Sequence, residues 1–388
     1  MTDQRNLLLA IVLSIAILLG FQFLYEGPKV QQRQAEQARQ TEQTVNVPAP
    51  TAQAPEAPKD RPQLLAEQFA AGTRVKIATP SLHGSVNLQG GRIDDLTLAN
   101  YHVTPDPKSP EIVLLSPAGA PNGYYAEFGW VPEDRSVPTP DANTRWTAQG
   151  TELTPDKPLV LTWDNGKGLV FERTVAVDPD YMFTITQRVR NTGSAPVRLL
   201  PYSLVSRHGT PFTEGFYILH EGPLGVFDGK LYETKYDDLK SAKTVTKQTT
   251  GGWIGITDKY WLVSLIPDAK ATETGRFVHT TAGNQDRYQV DLMGTAVEIP
   301  AGGTAEDTAR LFAGAKQVRL LDAYSKQYDI ANFDLAIDFG WFYFLTKPFF
   351  YALDWIAGLV GNFGVAILIF TVIIKLAFFP LANKSYQA

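Results

Sequence analysis

The chain has 388 residues, a formal charge of −5 and 44% apolar residues, and its length predicts roughly two or three domains. Charged residues make up only 19%, below the roughly 25% of soluble domains, which indicates that part of the chain does not face water. The absence of cysteine excludes disulfides, thiolate-bound metals and thiol catalysis. A pI near 5.6 and the lack of a basic tract argue against nucleic acid as a direct partner.

The first apolar stretch runs from Leu7 to Leu24 and reads LLLAIVLSIAILLGFQFL. At about 1.5 Å per residue it covers roughly 27 Å, close to the thickness of a bilayer's hydrocarbon core. A cleavable signal peptide is the alternative, but the apolar region exceeds the usual length and the following YEGP is not a small-residue cleavage site. We therefore expect an uncleaved transmembrane anchor over residues 1–26.

Residues 27–73 are rich in Gln, Ala and Pro and contain few large apolar side chains. Such a segment buries too little apolar surface to offset the entropy lost on ordering. The composition predicts a disordered linker.

Residues 74–313 alternate apolar and polar side chains with a period of two, as in 168–178 and 181–191. Turn signals such as DNG and NTG separate these segments, and no long helical pattern interrupts them. The fold class that follows is mostly β, with one large antiparallel β-sandwich.

Three helices are predicted after the sandwich. Apolar residues at helical spacing in 314–335 favour an amphipathic helix packed against the sandwich. The aromatic segment 340–357 is interrupted by charges and a proline, which is typical of an interfacial helix. Residues 358–383 are long enough for a second transmembrane helix, and 384–388 would begin a cytoplasmic region.

Lys375 is the charged residue within this second apolar stretch. A charge at mid-span costs roughly 2.5–3.5 kcal/mol and is functional by default. The alternative is that the amine snorkels to the interface. Thr371, one turn earlier on the same face, adds a polar neighbour and favours a wet surface.

The sandwich offers no convincing catalytic constellation, because its histidines form no close metal pair and neither a nucleophile elbow nor a phosphate loop is present. The histidines are His83, His102, His208, His220 and His279. General acid–base catalysis by Arg207-His208 or His220-Glu221 is a minor alternative to a structural role.

Three aromatic residues, Tyr124, Tyr125 and Trp253, permit two interpretations: they line a sugar-binding groove, or they pack the sandwich, which is the favoured interpretation. Gly90-Gly91 and Gly251-Gly252 indicate backbone turns.

Taken together, an N-terminal anchor, a Gln/Pro linker, a β-sandwich and the run from Phe333 to Gln387 resemble the YidC membrane protein insertases of Gram-negative bacteria. Weaker similarity lies at Gly90-Gly91-Arg92 and Gly251-Gly252-Trp253. The most specific positions in the run are Gly340, Trp341, Lys347, Pro348, Gly361, Asn362, Phe363, Gly364, Lys375, Pro380 and Lys384.

The resemblance implies a multi-pass protein of the bacterial inner membrane whose large domain, a β-supersandwich, lies in the periplasm. It implies an insertase and chaperone that moves hydrophobic segments into lipid without covalent chemistry, a catalytic residue, a metal or a cofactor. The implied partners are nascent inner-membrane proteins, Sec translocon components and the lipid bilayer, with nucleic acid involved only indirectly through ribosomes.

The resemblance also implies site residues. Lys375, with Thr371 beside it, would contact clients from a hydrophilic groove, at a position where many relatives carry Arg. Interfacial or structural roles fall to Trp341, Pro348, Trp355, Gly361, Asn362, Gly364 and Pro380.

The chain stops just after its second predicted span, whereas family members continue through further helices, so we expect an incomplete chain. Two alternatives stay open: a membrane-anchored periplasmic carbohydrate-binding or epimerase-like module, and a structural adaptor of an envelope transporter.

Overall fold

Strands dominate the chain between the two ends, as the alternating pattern predicts. The structure is a computed structural model, which describes residues 58–213, 215, 219–340 and 342–387, with side chains as far as residue 380. The expected anchor over residues 1–26, most of the expected linker and Trp341 lie outside the described residues.

Within the described residues, twenty strands form two sheets, and their pairs are antiparallel except for the parallel pair β1–β7. The larger sheet has the order β14 (Thr244–Thr250), β17 (Thr272–Ala282), β18 (Gln285–Met293), β11 (Val197–His208), β5 (Tyr124–Pro132), β3 (Arg92–His102), β2 (Leu82–Asn87), β1 (Arg74–Ala78) and β7 (Glu152–Leu153), with β19 (Val297–Ile299) added to β11 and β4 (Glu111–Leu115) added to β3. The smaller sheet has the order β13 (Lys230–Glu233), β12 (Gly222–Phe227), β15 (Trp253–Thr257), β16 (Trp261–Ile266), β20 (Thr304–Ala315), β10 (Met182–Asn191), β9 (Leu169–Val177), β8 (Leu159–Asp164) and β6 (Thr147–Gln149).

The period of two in the sequence corresponds to the burial of alternate side chains. In β9 every second residue from Leu169 is buried, because successive side chains of a strand point to opposite faces. Strand β10 pairs with β9 so that Val189 lies opposite Phe171, and both side chains join the hydrophobic core. The mostly β fold is therefore confirmed.

The order of the strands in the smaller sheet does not follow the order of the chain. Strand β20, the last of the domain, lies in the middle of this sheet and pairs with β10 on one side and β16 on the other. Its residues Leu311, Phe312 and Ala313 are fully buried, so the final strand supplies central core side chains.

The structure differs from the expected linker at its C-terminal end, where Arg61–Ala70 forms helix α1. Proline near the helix start and the helix-forming residues that follow allow this helix despite the surrounding composition. An ion pair between Arg61 and Asp95 joins it to strand β3, and Gln68 accepts a hydrogen bond of 2.6 Å from Arg74 Nε. Tertiary contacts thus order a segment that composition assigned to the linker.

One short helix lies between strands, and further helices follow the sandwich. The sequence predicts the helices at the C-terminal end. Helix α2, Tyr236–Ala242, lies between β13 and β14. Helix α3, Val318–Gln327, buries Val318, Leu321 and Tyr324 against the sandwich. A 3-10 turn, Phe333–Ala336, leads to helix α4 (Tyr343–Val360) and helix α5 (Phe363–Gln387). Among the described helices, one is long and apolar enough to cross a membrane, over Phe363–Pro380.

Candidate functional site

Helix α5 presents apolar side chains outward along its length, as expected of a helix that faces lipid or other helices. Lys375 is exposed among them, with no hydrogen-bond or ion-pair partner among the described side chains. The Thr371 hydroxyl, one turn earlier, donates a hydrogen bond of 2.7 Å to the Ile367 carbonyl oxygen. The structure therefore places the two predicted client-contacting residues on one exposed face, with the lysine amine free to contact another group.

A tight corner joins α4 to α5. Gly361 takes a left-handed conformation with φ of 71°, which suits glycine at a helix C-terminus. The side-chain oxygen of Asn362 accepts a hydrogen bond of 3.1 Å from the Val365 backbone N–H, which caps the start of α5. Gly364 lies in the first turn, where a Cβ would come within 3.2 Å of that Asn362 oxygen. These three predicted structural residues therefore build the corner between the helices.

The remaining structural residues lie within the two helices. Pro348 and Pro380 lie inside α4 and α5, where a proline removes one backbone donor and bends a helix. Trp355 is exposed on α4, as expected of an aromatic residue at a membrane interface. The rings of Phe349 and Phe370 lie 5.3 Å apart and pack the two helices together.

A polar cluster, which we call the junction cluster, connects α4 to the end of the sandwich. Its centre is Lys347, whose Nζ donates hydrogen bonds to Asp322 Oδ1 at 3.0 Å and Asp334 Oδ2 at 2.6 Å. Two tyrosines complete it: Tyr343 donates to Asp334, and Tyr351 donates to Asp322. Since Asp322 lies on α3 and Asp334 on the 3-10 turn, one lysine holds three segments together.

The junction cluster is partly shielded from water, because the Lys347 side chain is 18% exposed and that of Asp334 is 14% exposed. Burial opposes both charges, yet the hydrogen bonds between them raise the pKa of Lys347 and lower the pKa of Asp334. A second ion pair, Arg319 Nε to Asp354 Oδ2 at 2.6 Å, also joins α3 to α4. Helix α4 is therefore attached to the sandwich by charges at two points along its length.

Lys347 belongs to the run that resembles the family, but the sequence predicts no site role for it. Its acidic partners are distant in sequence, and only the fold brings them to one lysine. A signal was available, since four aspartates (322, 334, 338 and 354) flank that lysine in a segment otherwise rich in aromatic residues.

The aromatic residues considered for a sugar groove are buried instead. Tyr124 and Tyr125 are each 4% exposed and Trp253 is 1% exposed, so the packing interpretation is confirmed. Arg207 lies 4.6 Å over the Tyr124 ring, and Arg92 lies 4.3 Å over the Tyr125 ring. Gly90-Gly91 and Gly251-Gly252 all have positive φ, as backbone turns require.

The histidines do not gather into a site. His279 Nε2 lies 2.8 Å from Asp286 Oδ1, and His83 Nδ1 lies 2.9 Å from Glu111 Oε1. Burial lowers the pKa of His208 to about 4, which keeps the imidazole neutral at pH 7. Within the described ranges no three His, Asp or Glu residues are placed to hold a metal ion.

Comparison with solved structures finds distant matches of low sequence identity. A galactose mutarotase related enzyme from Lactobacillus acidophilus matches 63% of this chain and 100% of its own, with a TM-score of 0.43 and 8% identity. An aldose 1-epimerase described as putative, from Escherichia coli K12, matches 63% of this chain with a TM-score of 0.41 and 12% identity.

Comparison with known sequences is much closer. The family model of the YidC periplasmic domain matches residues 74–352. The membrane protein insertase YidC of Bradyrhizobium diazoefficiens is 46% identical over 100% of this chain and 68% of the relative. That of Methylorubrum extorquens is 47% identical over 99% of this chain and 67% of the relative. The chain therefore belongs to the YidC family of membrane protein insertases.

Proposed function

We propose that this chain is the anchor, periplasmic domain and first client-contacting helix of a membrane protein insertase. It moves hydrophobic segments of newly made inner-membrane proteins into the bilayer, alone or beside the Sec translocon, and performs no covalent chemistry. The observation that carries the proposal is the exposed apolar helix over Phe363–Pro380, whose exposed Lys375 has no partner among the described side chains. Identity of 46–48% to proteins named as insertases supports it.

The physical role of Lys375 follows from the cost of moving polar groups through a bilayer. A client that crosses the membrane carries polar or acidic residues into a region of low dielectric constant, where charge interactions are stronger than in water. A cation halfway across lowers that cost, and Thr371 extends the polar face by one turn. Release follows when the apolar stretch of the client moves sideways into lipid. Charge is then more important than shape at position 375.

The proposed topology places both chain ends in the cytoplasm and residues 27–339 in the periplasm, with 1–26 and 358–383 as the two spans. Long translocated domains largely escape the positive-inside rule, so the family membership supports this orientation. Protease added to spheroplasts should degrade the sandwich. If the protease instead leaves the sandwich intact and cleaves a tag placed at the N-terminus, the proposed orientation is wrong.

The test of the function uses the full-length insertase and one small client whose translocated acidic residues are either kept or neutralised. We expect Lys375→Arg to insert both clients normally, because it preserves the charge. Lys375→Ala should reduce insertion of the acidic client most, and Lys375→Glu should reduce it further by repulsion. The matched control is Lys326→Ala, which removes an exposed lysine on α3, outside the proposed spans.

Snorkelling predicts a different outcome for the same assay. If the amine only anchors the helix at the interface, Lys375→Leu should be neutral or stabilising and should show no client dependence. Normal insertion of both clients by the Ala and Glu variants, at matched protein levels, would exclude the proposed cation role. The carbohydrate-binding alternative receives no support from Tyr124, Tyr125 and Trp253, because their rings are buried.

A further inference from the structure

A large cavity lies where the sandwich meets the C-terminal helices. Its volume is about 920 Å³, within the range of about 300–1,000 Å³ typical of sites that bury small organic ligands. The end of β3 and the segment before β16 form one wall, and the start of α3 and one side of α4 form the other. Its most informative lining residues are Tyr101, Tyr260, Trp261, Lys316, Phe350 and Asp354.

Aromatic side chains that contact each other form one wall of the cavity. The rings of Tyr101 and Trp261 meet edge to face with centroids 5.1 Å apart, and Gln317 Nε2 donates a hydrogen bond of 3.2 Å to the Tyr101 hydroxyl. Tyr260 is 58% exposed and forms the rim. Such a surface suits an apolar chain or a glycerol backbone better than it suits a hydrated ion.

Lys316 is one of several charged residues that line the cavity. Its Nζ donates a hydrogen bond of 3.0 Å to the neutral Thr257 hydroxyl, and no described carboxylate lies within ion-pair distance of it. Burial lowers the pKa of this amine to about 8, because desolvation disfavours the charged form. An anion within reach would remove that penalty.

Two acidic residues that line the cavity have partners of their own. Asp354 pairs with Arg319, and Asp338 Oδ1 accepts a hydrogen bond of 2.8 Å from the Gly340 backbone N–H. Asp258, Glu221 and Asp338 attract the Lys316 charge, but burial outweighs them and the pKa stays below its ordinary value. An anion at the amine would therefore stabilise its charged form further.

Helix α4 indicates where the ligand comes from. Phe350 and Asp354 of α4 line the cavity, and the same helix leads through the Gly361–Asn362 corner into the candidate membrane span. A cavity bounded by this helix opens close to the headgroups of the outer leaflet when α5 spans the bilayer. In that topology, anionic lipid headgroups are a source of anions beside the cavity.

We propose that this cavity binds an anionic phospholipid, with the phosphate at Lys316 and the glycerol and first methylenes against the aromatic wall. The proposal depends on the membrane topology given above but not on insertase activity, so either can fail while the other holds.

The test measures tryptophan quenching in the full chain reconstituted into phosphatidylcholine nanodiscs. One arm contains brominated phosphatidylglycerol and the other brominated phosphatidylcholine, because bromine quenches a ring on contact. We expect additional quenching by the anionic lipid, and this component should disappear in Trp261→Phe. Lys316→Gln should weaken apparent binding about tenfold, the effect of about 1.4 kcal/mol, whereas Lys316→Arg should retain it.

The matched control is Lys326→Gln, which makes the same change in net charge at an exposed site on α3 and should bind like the parent. Near-UV circular dichroism of every variant establishes that the sandwich is folded. Equal quenching by both lipids in the parent, or unchanged binding in Lys316→Gln, would overturn the proposal. Release of the lipid by excess inorganic phosphate would also overturn it, since the cavity would then be a simple anion site.

Discussion

The junction cluster predicts that Lys347 holds helix α4 against the sandwich. Lys347→Met keeps the length of the side chain and its apolar stem but removes the amine. Asp322 and Asp334 would then lose their ion pairs, and two tyrosine hydroxyls would be the remaining donors to them. We expect α4 to separate from the sandwich more often while the two sheets stay intact.

The magnitude follows from the exposure of the three charged groups, whose side chains are 14–23% exposed. Exposed ion pairs contribute about 0–1 kcal/mol, whereas breaking a fully buried pair costs about 3–5 kcal/mol. This partly buried cluster with two acceptors lies between these limits, so we expect about 2 kcal/mol. That value corresponds to about a thirtyfold increase in the opening equilibrium of α4.

Amide hydrogen exchange of the full chain in nanodiscs measures this opening directly. Amides of residues 343–360 should exchange about thirtyfold faster in Lys347→Met, while those of β9 and β10 keep their protection. Lys326→Met, on the exposed side of α3, is the control. Equal exchange of α4 in the two variants would show that apolar packing alone holds the helix and would refute the role of the cluster.

Two further predictions concern the sandwich. Burial raises the pKa of Glu273 to about 8, so the folded state binds a proton that the unfolded state has released, and stability should fall as pH rises from about 4.5 to about 8. The midpoint of thermal unfolding should drop by roughly 10 °C over this interval, and Glu273→Gln should flatten the dependence; an equal drop in the variant would assign it to other groups. A Cβ at Gly314 would lie 2.2 Å from the Tyr181 ring, whereas one at Gly358 would meet nothing within 4 Å. Gly314→Ala should therefore cost about 1–3 kcal/mol in denaturant unfolding and Gly358→Ala none, and equal stability of the two variants would contradict the packing.

The sequence predicts the parts of this fold that depend on local patterns. Alternation in β9 and β10 and the helical spacing of Val318, Leu321 and Tyr324 each report one buried face. It does not predict helix α1, because the ion pair of Arg61 with a distant strand helps to order a segment of linker-like composition.

The candidate site also has parts that the sequence predicts and parts that it does not. Lys375 is visible from sequence because a single charge interrupts an apolar run. The junction cluster is not visible from the sequence, because only the fold between α3 and α4 brings Asp322 and Asp334 to Lys347. The cavity beside Lys316 likewise depends on walls from four separate segments.

The central position of β20 has a consequence for the order of folding. In the proposed topology the periplasmic segment is translocated in chain order, so β20 arrives after the other nineteen described strands. Until then the smaller sheet exists as two unconnected pieces, β6 with β8–β10 and β12–β13 with β15–β16. Each piece exposes an edge strand whose backbone N–H and C=O groups are unpaired. Such an edge can pair with a strand of another chain and lead to aggregation. In that topology, translocation of the segment immediately before α3 closes the smaller sheet, and the sandwich completes its folding just before helices α4 and α5 follow.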